Sequence, residues 1–85
     1  MVERERTYRG INTRAAIHYL EGVGGEGVSD GRVEGDGWAA EVSADTVQIG
    51  PTLTLTEVTV RFSGKEAVLD PVIEAFSKKA IRAGG

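Results

Sequence analysis

His18 and a small group of carboxylates are the residues whose chemistry could support proton transfer or metal binding. His18 is the only histidine, and imidazole is the side chain whose charge changes nearest neutral pH. Glu21 follows at i+3, within reach on a helix, while Asp30, Glu34 and Asp36 cluster around a predicted hairpin. The three acids lack the spacing of a calcium loop. A small ligand-binding protein or enzyme that uses His18 and the acidic hairpin is therefore one alternative function.

Residues 22–27 match the pattern G-x-G-x-x-G in their letters. The dinucleotide fingerprint requires a preceding strand and a following helix whose N-terminus faces the phosphates. Here a predicted helix comes before the glycines and a strand comes after them. We interpret the segment as a flexible connector.

The last residues allow two interpretations of Gly84 and Gly85. Glycine just beyond a helix adopts the left-handed conformation that closes it. A terminal Gly-Gly also resembles the tail of ubiquitin-like modifiers and sulfur carriers, which is adenylated and then thiocarboxylated or conjugated. We prefer the helix cap and keep the tail as a candidate. Lys78, Lys79 and Arg82 complement the negative end of the helix dipole and form a candidate patch for a partner.

Composition limits the classes of protein to consider. Eighty-five residues form one domain, residues 1–85, with 13 acidic against 10 basic side chains and a net charge of -3. This balance does not favour nucleic-acid binding. The chain has no cysteine, which excludes disulfides, thiolate metal sites and cysteine nucleophiles. No apolar run approaches the roughly 20 residues of a membrane span, and no signal peptide is apparent. We expect a cytoplasmic, prokaryotic protein without a cofactor or metal.

The first third of the chain predicts one strand and one helix. The alternating pattern of residues 4–9 predicts a short edge strand. Its charged side chains would prevent it from pairing with strands of other chains. Asn12 or Thr13 can cap a helix that ends at Gly22, and a flexible loop is expected at residues 23–27.

The middle of the chain predicts antiparallel strands. Asp36-Gly37 marks a hairpin between strands at 32–34 and 38–42. The apolar positions then change from even to odd, which predicts a turn at 43–46 and a second hairpin.

A long strand follows at residues 52–62. Its apolar positions change from odd to even, so we predict a β-bulge near Thr56-Glu57. Its solvent face is expected to carry threonines that offer an oligomer interface, namely Thr52, Thr54, Thr56 and Thr59.

A final helix is expected at about residues 65–82. Ser63 and Glu66 match the capping box. Pro71 predicts either a kink or a restart of the helix that Asp70 caps, and we prefer one helix with an irregular first part. The elements together predict an α+β fold: a two-layer sandwich in which an antiparallel sheet of four or five strands carries two helices on one face.

Three short stretches, at residues 34–38, 60–64 and 79–85, carry a family resemblance. They resemble a small α+β domain that some prokaryotes place after a sulfur-carrier domain related to the small subunit of molybdopterin synthase. The resemblance implies an antiparallel sheet covered by two helices and a link to molybdopterin or sulfur-transfer metabolism. It transfers no catalytic or binding residues.

The main functional hypothesis is a non-catalytic interaction or accessory module rather than an enzyme. Its partner is expected to be another protein or a second copy of the chain, and neither nucleic acid nor membrane. The alternatives are the sulfur carrier acting through Gly84-Gly85 and the ligand binder or enzyme using His18.

Overall fold

A computed structural model describes the backbone of residues 1–84 and the side chains of residues 1–81. In chain order the elements are β1 (Val2–Arg9), α1 (Thr13–Gly22), β2 (Glu26–Ser29), β3 (Arg32–Gly35), β4 (Trp38–Gln48), β5 (Thr54–Gly64) and α2 (Glu66–Gly84). All five strands form one antiparallel sheet in the order β1-β5-β4-β3-β2. The predicted α+β fold with a five-stranded antiparallel sheet and two helices is confirmed. Within the described residues, no helix is long and apolar enough to cross a membrane.

One hydrophobic core lies between the helices and the sheet face that they cover. Val58, Val60 and Phe62 supply fully buried side chains from β5, and Leu20 and Phe76 supply them from the two helices. This covered side of the sheet is called the inner face below, and the opposite side the outer face. Apolar burial on one face and polar residues on the other is the usual arrangement of an antiparallel sheet.

The helix α1 begins and ends where the sequence predicts. The side chain of Asn12 accepts a hydrogen bond of 2.7 Å from the backbone N–H of Ala15, which satisfies a donor that the helix leaves free. Gly22 is the last helical residue. The predicted loop at 23–27 is too long, because Glu26 and Gly27 already pair with β3.

The helix α2 starts without the predicted capping box. Ser63 lies within β5, which continues to Gly64, and the helix begins at Glu66. The backbone carbonyl of Lys65 accepts hydrogen bonds from the amides of Val68 and Leu69. Strand pairing on both sides of Ser63 therefore overrides the local capping pattern. Pro71 lies inside one continuous helix, which confirms the preferred single helix, while the irregular first part stays a prediction.

The predicted turn at 43–46 is wrong, and so is the bulge near Thr56-Glu57. Strand β4 is continuous, and its pairing with β5 runs unbroken from Trp38 opposite Gly64 to Gln48 opposite Thr54. In both strands the apolar residues move from one face of the sheet to the other, and they do so at residues that face each other. The two strands therefore stay in register without a bulge. Val47 and Leu55 pair with each other on the outer face, whereas Val42 and Val60 pair on the inner face.

The far end of this hairpin extends beyond the rest of the sheet. Strand β3 pairs with β4 only as far as Glu41, and β1 pairs with β5 only from Glu57 onward. Residues 43–56 are called the arm below. Residues 46–56 of the arm pair only with each other, and residues 43–45 pair with β5 at 57–59. Thr54 and Thr56 alternate with Leu55, so they lie on the inner side of the arm, whereas Thr59 lies on the outer face. The predicted grouping of the threonines on one face is therefore wrong.

Candidate functional site

The outer face of the sheet is not covered by either helix and carries most of the acidic charge of the chain. The strand register places seven carboxylates and three guanidinium groups there, a formal net charge of -4. The carboxylates belong to Glu3, Glu5, Glu26, Glu34, Glu41, Asp45 and Glu57, and the guanidinium groups to Arg9, Arg32 and Arg61. Because the whole chain has a charge of -3, the remaining residues together carry +1.

Arg32 is the most strongly held cation on this face. Its guanidinium lies 3.0 Å from a carboxylate oxygen of Glu34 and 2.8 Å from one of Glu41. The hydrogen bond to Glu34 raises the pKa of Arg32 above its ordinary value, and desolvation opposes this effect in part. Arg32 is partly exposed to solvent, so these pairs position side chains more than they stabilise the fold.

The other outer-face arginines also pair, and some carboxylates do not. Arg9 lies 3.0 Å from Glu57, and Arg61 lies 3.6 Å from Glu5. Among the described side chains, no ion pair involves Glu3, Glu26 or Asp45.

A shallow depression of about 390 Å³ opens among the charged residues of this surface. Glu3 and Glu5 line it from β1, Arg61 from β5, and Arg32 and Glu41 from the neighbouring strands. Its lining is polar and contains three carboxylates and three guanidinium groups, so it favours a charged or hydrogen-bonding ligand group over an apolar one. The net charge of -4 on the whole outer face, and not the depression itself, favours a cationic surface.

A second cleft, of about 460 Å³, joins α1 to the turn between β2 and β3. It brings His18 and Asp30 together, with Arg14 and Glu21 also in its lining. Asp36 lies in a different turn, between β3 and β4.

Glu34 is also outside this cleft, because it pairs with Arg32 on the outer face. The predicted constellation is thus brought together only in part. Within the described residues, no group of three or more His, Cys, Asp or Glu side chains could hold a metal ion.

The residues of the predicted tail and basic patch lie on or beyond α2. Lys78 is 3.3 Å from Glu74, one turn earlier on the helix. A Cβ added to Gly22 would lie 3.6 Å from the Lys79 ammonium, so Lys79 reaches the end of α1. Gly84 is the last residue of α2. Gly85 and the side chain of Arg82 lie outside the described residues, so the tail and the patch stay predictions.

Gly35 and Gly64, from two of the stretches that carry the family resemblance, and Gly25 pack around Trp38. A Cβ on Gly35 would overlap the Trp38 indole, and a Cβ on Gly25 would lie 2.9 Å from the same ring and contact Val33. Gly64 has φ +147° and lies directly against the backbone of residue Gly37. The glycines of this region are therefore needed because Trp38 and the chain crossing beside it leave no room for side chains.

The arm is a functional candidate that sequence reasoning missed. Its outer side carries the apolar pair Val47 and Leu55, followed by Ile49 and Leu53, whose backbones are hydrogen-bonded at 2.9 Å. Ile49 is 52% exposed and Leu53 is 60% exposed. In both strands the apolar residues change between even and odd positions, and this change is the sequence signal for the stripe. It indicates the arm only when β4 and β5 are aligned with each other.

Comparison with known proteins places the chain in one family. Residues 4–85 match the family model described as archaeal MoaD-like protein. No curated protein matches the chain.

Proposed function

The chain belongs to the archaeal MoaD-like family, and on that premise we propose that it is a non-catalytic interaction module linked to molybdopterin and sulfur-transfer metabolism. The observation that carries the proposal is the uncovered outer face with its charge of -4. On this proposal the partner is a protein that presents a basic surface to this face.

The chemistry of the outer face supports binding more than catalysis. Its arginines are engaged with neighbouring carboxylates, which leaves Glu3, Glu26 and Asp45 as the free charges among the described side chains. Carboxylates on an open, solvated sheet attract a cationic partner over distances of about 10 Å at moderate salt. Electrostatic attraction of this kind sets the association rate and the choice of partner more than the final affinity.

Charge reversal on the outer face tests the proposal. The double variant Glu3→Lys/Glu26→Lys reverses two free carboxylates that lie away from the arm. The matched control Glu21→Lys/Asp70→Lys makes the same change in net charge on the two helices. Tagged proteins are used to capture partners from the native host at low and high salt, and the captured proteins are identified by mass spectrometry.

The proposal expects a basic partner that the wild type and the control capture and the outer-face variant loses. Capture should weaken with salt, because the screening length falls from about 10 Å at 0.1 M to about 3 Å at 1 M. Equal capture by both double variants, or an acidic partner, would contradict the proposal. Loss in the control alone would favour the alternative function at the cleft of His18.

The family match also favours a second candidate function, because it extends through residue 85 and so includes Gly84-Gly85. On this candidate the chain is a ubiquitin-like sulfur carrier whose terminal glycine carboxylate is activated by adenylation and then converted to a thiocarboxylate. Intact-mass measurement on protein from the native host tests it. Replacement of one oxygen by sulfur would support the carrier, and unmodified protein under active sulfur metabolism would reject it.

A further inference from the structure

Four stretches of the sheet have no neighbouring strand on one side. One of them, at residues 54–56 of β5, is only three residues long, and two others are protected. Strand β1 carries charges along its length, with Arg4 and Glu5 among them, and β2 has only four residues and a register shift. Charged, short or irregular edges discourage pairing with other chains. The remaining open edge is β4 along residues 43–48, where Asp45 is the single charged residue.

The backbone of this β4 edge has free groups that can pair with another strand. Val42 donates its N–H to Gly31 at 2.7 Å on the β3 side. Because alternate residues of a strand direct their backbone groups to opposite sides, Ala44, Thr46 and Gln48 direct theirs to the same side as Val42. Within the described residues no strand lies beside them there.

We propose that a second copy of this chain pairs antiparallel with residues 43–48 of β4 and joins the two sheets into one of ten strands. The two-fold axis passes at Thr46, which faces Thr46 of the second copy. Such a self-complementary contact is the usual geometry of a homodimer.

The strand itself selects this register. With the axis at Thr46, Ala44 faces Gln48 of the second copy, so all three outward-directed residues on each edge find strand partners. Asp45 then faces Val47 of the second copy. This register therefore avoids placing like charges directly opposite each other, which would be destabilising.

Neighbouring registers are poorer. An axis at Asp45 places the two Asp45 carboxylates opposite each other and requires Val42, whose N–H already bonds Gly31. An axis at Val47 places Ala44 opposite Gly50, whose N–H bonds Leu53 within the turn. The axis at Thr46 is the one that uses the open edge fully.

Single cysteines test the register, because the chain has none of its own. Paired residues that exchange both hydrogen bonds have Cα atoms about 5.5 Å apart, within the range of roughly 4.4–6.8 Å that a disulfide spans. Thr46→Cys should therefore give a covalent dimer under mild oxidation. Ala44→Cys is the matched control on the same edge and face, since its copies would be about 13 Å apart, four residues along the strand.

Sedimentation measurements on uncrosslinked protein provide the second test. The wild type should shift from monomer to dimer as concentration rises. Thr46→Pro removes an outward N–H and should stay monomeric, whereas Thr54→Pro, on the opposite edge of the arm, should dimerise like the wild type. Circular dichroism checks that each variant is folded.

The outcomes separate clearly. A monomeric wild type at all concentrations, a Thr46→Pro variant that dimerises like the wild type, or equal cross-linking of Thr46→Cys and Ala44→Cys would each overturn the proposal. The outer-face variants at Glu3 and Glu26 lie outside the arm. A failure to capture a basic partner would therefore leave the dimer proposal untouched.

Discussion

At the scale of single residues, the packing of Trp38 depends on what is missing beside it. Trp38 is a buried aromatic on β4, and Gly35 and Gly25 leave the space that its ring occupies. Neither glycine has a positive φ. Their role is therefore steric and not conformational.

Substitution of Gly35 tests this steric role. Gly35→Ala should lower the free energy of unfolding by about 1–3 kcal/mol, the usual cost of overpacking a core, as measured by urea denaturation. Gly50→Ala is the control, because a Cβ there meets nothing within 4 Å, and it should change stability by less than about 0.5 kcal/mol. Equal losses for the two variants would show that the indole does not need the space.

Tyr8 gives the protein a pH dependence on the alkaline side. Burial raises its pKa above the ordinary value, while the hydrogen bond to Ser77 at 2.8 Å and the charge of Arg6 lower it by smaller amounts. Since the folded pKa exceeds the unfolded one, this contribution to stability is complete below about pH 10 and is lost as pH rises through the folded pKa.

The variant Tyr8→Phe removes that titration and keeps the ring against Phe76, whose centroid is 5.1 Å away. It should cost about 0.5–1.5 kcal/mol at neutral pH through the lost hydrogen bond. Its unfolding free energy should also fall less steeply than that of the wild type between pH 9 and about pH 11. Parallel curves for the two proteins in denaturant titrations would contradict this assignment.

At the scale of elements, two residues with the same local signal have different roles. Asn12 and Ser63 each precede a helix, but only Asn12 accepts a hydrogen bond from its helix. Ser63 lies in β5 between Ala39 and Glu3 on the two neighbouring strands. The backbone of Ser63 is extended and pairs with both neighbouring strands, so Ser63 is not at the N-cap position of α2.

Alanine substitutions should separate the two roles. Asn12→Ala should cost about 0.5–2 kcal/mol, the usual loss of a helix N-cap. Ser63→Ala should cost less than about 0.5 kcal/mol, since alanine keeps the strand and removes no cap. Thermal unfolding of both variants provides the comparison. A larger loss of stability for Ser63→Ala than for Asn12→Ala would support the capping box at Ser63.

At the scale of the whole molecule, the arm lies outside the core. The buried residues of the hairpin end at Val42 in β4 and begin at Val58 in β5, and the molecule measures 43 Å along its longest axis against 24 and 21 Å across. Sheet and helices should therefore fold without the arm.

Replacing residues 46–56 by Asn-Gly tests this independence. Asp45 and Glu57 then flank a two-residue turn of the type that Asn-Gly favours. The shortened protein should keep cooperative unfolding and a native circular dichroism spectrum, and it should stay monomeric at concentrations where the wild type dimerises. Loss of the cooperative transition would show that the arm supports the core.

The amino-acid sequence alone determined the features that depend on neighbouring residues. These are the hairpin at Asp36-Gly37, the cap at Asn12 and the charged edge strand. Capping, turn formation and charge alternation act over a few residues, so they can be predicted from a short window.

Tertiary structure decided the arm, the outer face and the cleft at His18. A change of apolar parity in one strand has three explanations: a turn, a bulge or a move to the opposite face. Only the partner strand distinguishes them, because register is a property of two strands. The pairing of Val47 with Leu55 shows that the change of face produces an exposed apolar stripe beside an open edge. The tertiary structure also shows that the glycines around Trp38 are required for packing.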